Sequence, residues 1–293
     1  MTKHALITES SRAVVTIDNG KVSLGKWKKD VVASEQPLQL MLNWFGQASQ
    51  QWQSKQLAIV MRSPGDDKAL VIGFLLTQQV IACVDDIKHI TFSDENVADI
   101  TLVESFEPDW QALARIFVSH SGCGVCGQSQ LKQLATQFDA RTSNTPWLSM
   151  DEILTLPAKL QSAQAAFVQT GGMHGAGLAF EGNIQLIAED VGRHNAVDKV
   201  IGQLHQHKLA GELSEESDLH LNAEKSVLVL SGRISFELVQ KAVVANIGAI
   251  IAVGAPSDLA IATAQQFNLP LIGFVKPTQA NVYYGYEQLI LPS

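Results

Sequence analysis

SVLVLSGRISFELVQKAVVANIGAIIAVGAPSDLAIATAQQFNLPLIGFV, residues Ser226–Val275, decides the fold class. Its three apolar runs, Ser226–Leu230, Ala249–Val253 and Leu271–Val275, are too short for helices and are bounded by Gly, Pro or Ser, so they predict buried strands. Between them Ser235 to about Ile247 and Asp258 to Phe267 predict helices, with Ser235 capping the first and Ser257 or Asp258 starting the second. Strand, loop and helix repeated in this way predict an α/β layer around a largely parallel sheet.

Moving toward the N-terminus, the alternation continues. A helix is predicted from Asp151 to about Ala165, with strands near Phe167 and at Ile184–Ala188. The next helix, Asn195–Leu209, has Asn195 as its N-cap and places Val197, Val200, Ile201 and Leu204 on one face. RTSNTPWLS, residues 141–149, is polar with one proline and marks the boundary between halves. Ahead of it, strand-like Ile59–Met61, His89–Phe92 and Ile100–Val103 flank eight apolar residues, Ala69–Leu76. The preceding Pro64-Gly65-Asp66-Asp67 supplies an N-cap and early acidic residues, so that stretch reads as a buried helix. The predicted organisation is an N-terminal arm, 1–30, adding one edge strand; a smaller α+β domain, 31–140; and a C-terminal α/β domain, 141–293.

The chain of 293 residues is long enough for two domains. With 46% hydrophobic and 17% charged residues it must pack a core. Its net charge of -8 excludes a global positive field for nucleic acid or an anionic membrane, so any anionic ligand needs a local site. The longest apolar run falls far short of the roughly 20 residues of a membrane-spanning helix, and the N-terminus lacks a secretory apolar region. Three cysteines, an odd and sparse count, fit a reducing cytoplasm. Cys83, in an apolar run, reads as a buried small hydrophobe.

SGCGVCG, Ser121–Gly127, sets Cys123 and Cys126 two residues apart in a glycine loop that opens a helix. Loop N–H groups and the positive helix end favour thiolate, the form that attacks sulfur or binds metal. Three readings compete. The cysteines can be mere core filling, although a glycine loop beside His120 offers little core. They can hold zinc, which needs four ligands and would have to recruit His120, His174 or His194; the deaminase pattern is absent, since no proline precedes Cys123 and Ala176 stands in the glutamate position. They can form a redox or sulfur-carrying pair, the reading the surroundings favour.

Four further stretches carry candidate ligand contacts. TGGMHGAGLAF, Thr170–Phe180, sets His174 among glycines after a predicted strand, where backbone can approach a flat or phosphorylated ligand, or where the histidine is simply structural; GGMHGAG is not the dinucleotide fingerprint G-x-G-x-x-G. EDVGRHNAVDKVIG, Glu189–Gly202, clusters Glu189, Asp190, Arg193 and His194 at a strand-to-helix crevice, unless they form a solvated ion-pair cluster. SGRISFELVQKA, Ser231–Ala242, aims Arg233 at the same crevice, and GAPSDLA follows suit. In GFVKPTQANVYYG, Gly273–Gly285, Phe274, Tyr283 and Tyr284 can stack a base while Lys276 meets phosphate, or the strand can simply pack on the core.

These motifs, in order with RSPGDDKALVIGFLLTQQVI, resemble the FdhD sulfurtransferase family, accessory proteins of formate dehydrogenase, from about Glu35 to Glu287. The resemblance implies a cytoplasmic protein that accepts sulfur from a cysteine desulfurase as a cysteine persulfide. It passes that sulfur to the molybdenum or tungsten bis-guanine-dinucleotide cofactor, held as cargo and not as a resident group. It places the persulfide on Cys123 with Cys126 as helper, puts the cofactor-binding stretch at Phe274, Val275, Lys276, Pro277, Thr278 and Gln279, and implies a cytidine-deaminase-like C-terminal domain. No metal site is implied. Position and charge add Arg193, His194, Arg233, His174 and, from the other domain, Arg62 as cofactor contacts. Three positions depart from the family pattern: Gly122 for serine, Gly-Ala-Gly after His174, and Lys276 for arginine, which removes a bidentate fork. Formate dehydrogenase is the implied client and a homodimer is compatible. A thiol-disulfide oxidoreductase and a non-catalytic cofactor carrier remain as rival readings.

Overall fold

The computed structural model describes residues 6–19, 21–111, 113, 131, 134–142, 145–209 and 223–292. The fold class is α/β, and two sheets organise it.

The arm is more structured than one edge strand. Strands β1 (Ile7–Arg12) and β4 (Lys28–Ala33) form one antiparallel ribbon, and β2 (Val15–Asp18) and β3 (Lys21–Leu24) form another. In the second ribbon Val15 faces Leu24 and Ile17 faces Val22, all exposed.

The first large sheet has the order β6-β5-β8-β7, from β5 (Gln36–Gly46), β6 (Gln51–Arg62), β7 (Ile87–Asp94) and β8 (Val97–Leu102). Along β5, Leu38, Leu40, Leu42 and Trp44 are buried, the alternation of a strand covered on one face. Helix α1 (Asp67–Thr77) covers that face and is itself buried nearly all round, which is why eight apolar residues run together in its sequence. Its start differs from expectation. Asp66 occupies the N-cap in the left-handed region, φ 53°, and its side chain makes no capping hydrogen bond.

The second sheet has the order β11-β10-β12-β13-β14-β15, from β10 (His174–Phe180), β11 (Asn183–Asp190), β12 (Val227–Leu230), β13 (Ala249–Ala252), β14 (Leu271–Lys276) and β15 (Gln279–Tyr284); β9 (Leu148–Ser149) pairs with β16 (Leu289–Ile290) separately. Only β12-β13 and β13-β14 are parallel, so the sheet is mixed and not largely parallel. The reason is local: β10 and β11 join through Glu181 and Gly182, both at positive φ, a tight turn that forces antiparallel pairing.

Helix α2 (Met150–Ala163) packs on one face of this sheet, burying Ile153, Leu156 and Leu160 with Val227, Val229 and Ile251. The opposite face receives α4 (Arg193–Leu209), α5 (Phe236–Val244) and α6 (Asp258–Gln266), with Leu228, Leu230 and Ile250 turned toward them. A strand covered on both sides has no polar face, which explains the unbroken VLVL and AIIA. The segment around Phe167 is a short helix, α3 (Ala165–Thr170), and not a strand. Glu189 accepts from the N–H groups of Ala166 and Phe167 at 2.9 and 2.7 Å, satisfying the first turn of α3 and holding it helical.

The two sheets meet where α1 crosses α4. A Cβ on Gly73 would overlap the Asp198 carbonyl, and a Cβ on Gly202 would overlap that of Ala69, so both glycines are required for the close crossing. Buried charges stitch the same seam. Lys241 Nζ lies 2.7 Å from Asp198 Oδ1, which also accepts from Thr77 Oγ1 at 2.7 Å. Lys199 Nζ lies 2.8 Å from Asp190 Oδ2 and donates to the Ser63 carbonyl at 2.8 Å.

Candidate functional site

The loops leaving β12, β13 and β14 stack at the C-terminal ends of those parallel strands. Ile234 N–H donates to Ala255 O at 3.0 Å, Gly254 N–H to Gly232 O at 3.2 Å, and Phe274 N–H to Gly254 O at 3.2 Å. A Cβ on Gly254 would sit 2.6 Å from Gly232 O, so the spacing requires glycine there. This edge is where open α/β sheets bind ligands. Phe274 stands in it at φ 51°, a left-handed conformation that is strained for a bulky residue, and the residue is 40% exposed.

Beside this edge a cavity of about 670 Å³ opens between the sheet and helices α2 and α3. Apolar Leu160, Phe167, Met173 and Val275 contribute walls, and Gln161, Gln164, His174, Ser231 and Lys276 contribute polar groups. Ser231 Oγ accepts from Gly175 N–H at 2.9 Å, tying the first loop to the start of β10. His174, first residue of β10, has its pKa lowered by burial and then by Arg193 and His194. It is therefore held neutral at pH 7, with a ring nitrogen able to accept.

Of the predicted cofactor contacts, His174, Val275, Lys276 and Pro277 line the cavity. Phe274, Thr278 and Gln279 are exposed on the neighbouring turn, and Arg233 is exposed on the first loop. His194 Nε2 lies 2.8 Å from Glu237 Oε2 and 3.4 Å from Ser235 Oγ. Ser235 thus spends its hydroxyl there and makes no side-chain cap, although it occupies the N-cap of α5. Arg193 Nε is enclosed with no hydrogen-bond partner among the described residues.

Other expectations need correction. Arg62 does not reach the cavity: it is 0% exposed, forms a bidentate pair with Asp67 at 2.9 and 3.0 Å, and donates to Glu95 O and Asn96 Oδ1. It fastens the end of β6 to the start of α1. Glu189 and Asp190 are likewise structural, and Asp190 is fully buried, so the acidic half of EDVGRHN is neither a ligand cluster nor a solvated one. Asn195 lies inside α4 and not at its cap, donating to Met61 O at 2.7 Å and Asp190 Oδ1 at 3.0 Å. Tyr283 and Tyr284 pack against the core, and Tyr284 donates to Asn268 Oδ1 at 2.9 Å, which leaves Phe274 as the exposed ring. Cys83 is exposed, not buried: its N–H donates to Asp86 Oδ2 at 3.0 Å in a tight turn whose apolar places are taken by Ile81 and Val84. Cys123, Cys126 and His120 lie outside the described residues. Among the described residues no group of three or more His, Cys, Asp or Glu could hold a metal.

Reasoning from sequence missed Gln164, Phe167 and Val253 as lining residues. Each reads locally as ordinary helix or strand, and only the fold of α2 and α3 over the sheet edge turns them toward one space.

A family model described as the FdhD/NarQ family matches residues 33–290. The chain belongs to the FdhD/NarQ family. That span takes in both sheets, the cysteine loop and the cavity. The sulfur carrier protein FdhD of Streptomyces coelicolor is 37% identical over 292 residues, covering 96% of this chain and 95% of the relative. The protein of that name from Sulfolobus acidocaldarius is 37% identical over 266 residues, covering 90% and 92%. The fold matches the crystal structure of a protein described as a formate dehydrogenase accessory protein from Desulfotalea psychrophila, with TM-score 0.68 at 23% identity, over 96% of this chain and 99% of that one.

Proposed function

We propose that this chain carries sulfur from a cysteine desulfurase to the molybdenum bis(molybdopterin guanine dinucleotide) cofactor of a formate dehydrogenase, holding it as a persulfide on Cys123. Membership of the FdhD/NarQ family, whose curated relatives are named sulfur carrier proteins, supports the sulfur chemistry. The observation that carries the cargo half is the 670 Å³ cavity at the C-terminal sheet edge, lined by neutral His174 and by Lys276. Lys276 and Arg233 are exposed cations at that edge, suited to diphosphate, and the Phe274–Gln279 turn wraps the nucleotide. Among the described residues no helix is long and apolar enough to cross a membrane. The sparse, odd cysteine count and the family resemblance support a cytoplasmic exchange.

In the loading step the Cys123 thiolate attacks the outer sulfur of the donor persulfide. A new S–S bond forms on Cys123 as the donor's S–S bond breaks, and the donor cysteine leaves as thiolate. In delivery the Cys126 thiolate attacks Cys123 Sγ and forms a disulfide. The outer sulfur departs as hydrosulfide, reduced by the two electrons the thiol pair gives up. Hydrosulfide and one proton replace an oxo ligand of the cargo metal, and the oxygen leaves as water. A dithiol reductant then reopens the pair.

Intact-mass measurement after incubation with a cysteine desulfurase and cysteine tests this. One added sulfur is expected on the wild type and on Cys126→Ala, and none on Cys123→Ala. Formate dehydrogenase activated equally well by the double alanine variant would instead support a carrier without sulfur chemistry.

A further inference from the structure

We propose that the N-terminal ribbon is a docking arm that grips an acidic surface with an apolar centre on the protein that takes the sulfur, the formate dehydrogenase client; the proposal rests on the reading above. The arm lies ahead of residue 33, where the family match begins, so the span that defines the family does not account for it.

The two small ribbons are consecutive sections of one hairpin. β1 pairs with β4 from Ile7 and Ala33 to Arg12 and Lys28, Gly25 N–H donates to Val14 O at 2.8 Å across the bend, and β2 pairs with β3 from Val15 and Leu24 to Asp18 and Lys21. Strands send alternate side chains to opposite faces, so Val15, Ile17, Val22 and Leu24 share one face, and Thr16, Asp18, Lys21 and Ser23 share the other. The polar face is satisfied within the ribbon, with Thr16 Oγ1 2.6 Å from Ser23 Oγ. The apolar face is left in solvent: its four residues are between 58% and 72% exposed, and Trp27 near the bend is 72% exposed. A two-stranded ribbon standing alone is at best marginally stable in water, so an apolar face on one marks a surface that a partner completes. These five residues present about 700 Å², close to the roughly 800 Å² that each partner contributes to a specific protein complex.

Charge and position select the partner. Lys21, Lys26 and Lys28 flank the apolar residues, are exposed, and have no ion pair among the described residues, so they call for carboxylates around an apolar patch. The root of the arm decides which protein brings them. Ala33, the last residue of β4, packs against Gly172, where an added Cβ would lie 3.6 Å from the Ala33 Cβ, and β4 runs beside α3. Gly172 and Phe167 of α3 line the cavity. The arm therefore starts at the edge of the cavity and reaches outward by up to about 40 Å over Ile7–Asp18. A protein held by the arm is held beside the cavity, which is what delivery requires, whereas a second copy or a lipid surface gains nothing from that position.

Binding of the full chain to purified formate dehydrogenase that lacks its added sulfur, measured by biolayer interferometry, tests the proposal. Ile17→Thr combined with Val22→Thr and Leu24→Thr keeps strand-forming residues but removes the apolar face, and should weaken binding about tenfold or more. Lys26→Glu with Lys28→Glu should slow association about threefold or more, an effect that fades at high salt. Both variants should still take up one sulfur on incubation with a cysteine desulfurase and cysteine. Wild-type affinity in the triple variant overturns the proposal and leaves the sulfur-carrier reading standing, and wild-type association by the lysine variant overturns the acidic partner surface. A dimer in native mass spectrometry that the triple variant turns into a monomer gives the apolar face to a second copy and overturns the proposal. Sedimentation of the wild type, but not the triple variant, with anionic lipid vesicles overturns it likewise. A wild type that takes up sulfur but binds no formate dehydrogenase overturns the client half of the reading above, and one that takes up no sulfur overturns that reading itself.

Discussion

The seam between α1 and α4 and the rim of the cavity draw on the same short stretch of sequence, Glu189–Lys199, yet treat its charges in opposite ways. At the seam every buried charge has its counter-charge: Asp190 meets Lys199, Asp198 meets Lys241, and Arg62 meets Asp67. At the rim Arg233 and Lys276 are exposed, Arg193 Nε lacks a partner among the described residues, and His174 is kept neutral. The desolvation cost of a buried charge explains the division: fully buried ions need a counter-charge, whereas half-buried Arg193 and exposed Arg233 and Lys276 keep part of their charge in water. A charged motif in a sequence is therefore two populations, and burial separates the structural members from the ligand-facing ones.

The comparison breaks most sharply at the seam. Asp198→Ala strands the Lys241 ammonium and should lower unfolding free energy by about 3–5 kcal/mol, read from urea denaturation. Replacing both partners, Asp198→Leu with Lys241→Met, should restore most of that loss; if it does not, the pair contributes more than mutual neutralisation. Next in size, Gly202→Ala pushes a methyl group onto the Ala69 carbonyl of the facing helix and should cost about 1–3 kcal/mol in the same assay.

The smallest effect concerns the rim. Below the ordinary histidine pKa of about 6.5 the unfolded chain takes up a proton that folded His174 resists, because of burial and of Arg193 and His194, with Asp190 opposing them. Proton uptake then favours the unfolded state, so stability falls as pH drops from there toward the lowered folded value. Above that window both states are neutral and the contribution vanishes. His174→Gln should flatten this part of a urea-midpoint profile recorded between about pH 5 and 8, and an unaltered slope would place the titration elsewhere.

Much of the fold was legible because it rests on local physics. The helices at Ala69–Leu76 and Asp258–Phe267 and the strands at Ala249–Val253 and Leu271–Val275 appear where apolar run length and flanking turn residues put them. Ser257 caps α6 as its position suggested, accepting from Ala260 N–H at 3.2 Å. Elsewhere the local signal pointed the wrong way. Phe167, in AAFVQT, reads as a strand, but Glu189, more than twenty residues downstream, completes the first turn of a helix there. Cys83 looks apolar beside Ile81 and Val84, but a tight turn exposes one residue of that run.

Site residues divide along the same line. His174 could be named from its glycine-rich loop, and Val275, Lys276 and Pro277 from the family resemblance; all four line the cavity. Arg62 was misplaced because a sequence records that an arginine exists and not that Asp67, Glu95 and Asn96 have already claimed its donors.

By itself, then, the sequence determined the alternation of strand and helix, the family, the thiol pair and the loops at the sheet edge, all of which depend on neighbours within a few positions. The tertiary structure alone decided which charges are paired, that β10 runs against β12, and that Gln164 packs on Gly175 beside the cavity. Those outcomes are set by residues far apart in the chain, and no periodicity or spacing records a contact that only packing creates.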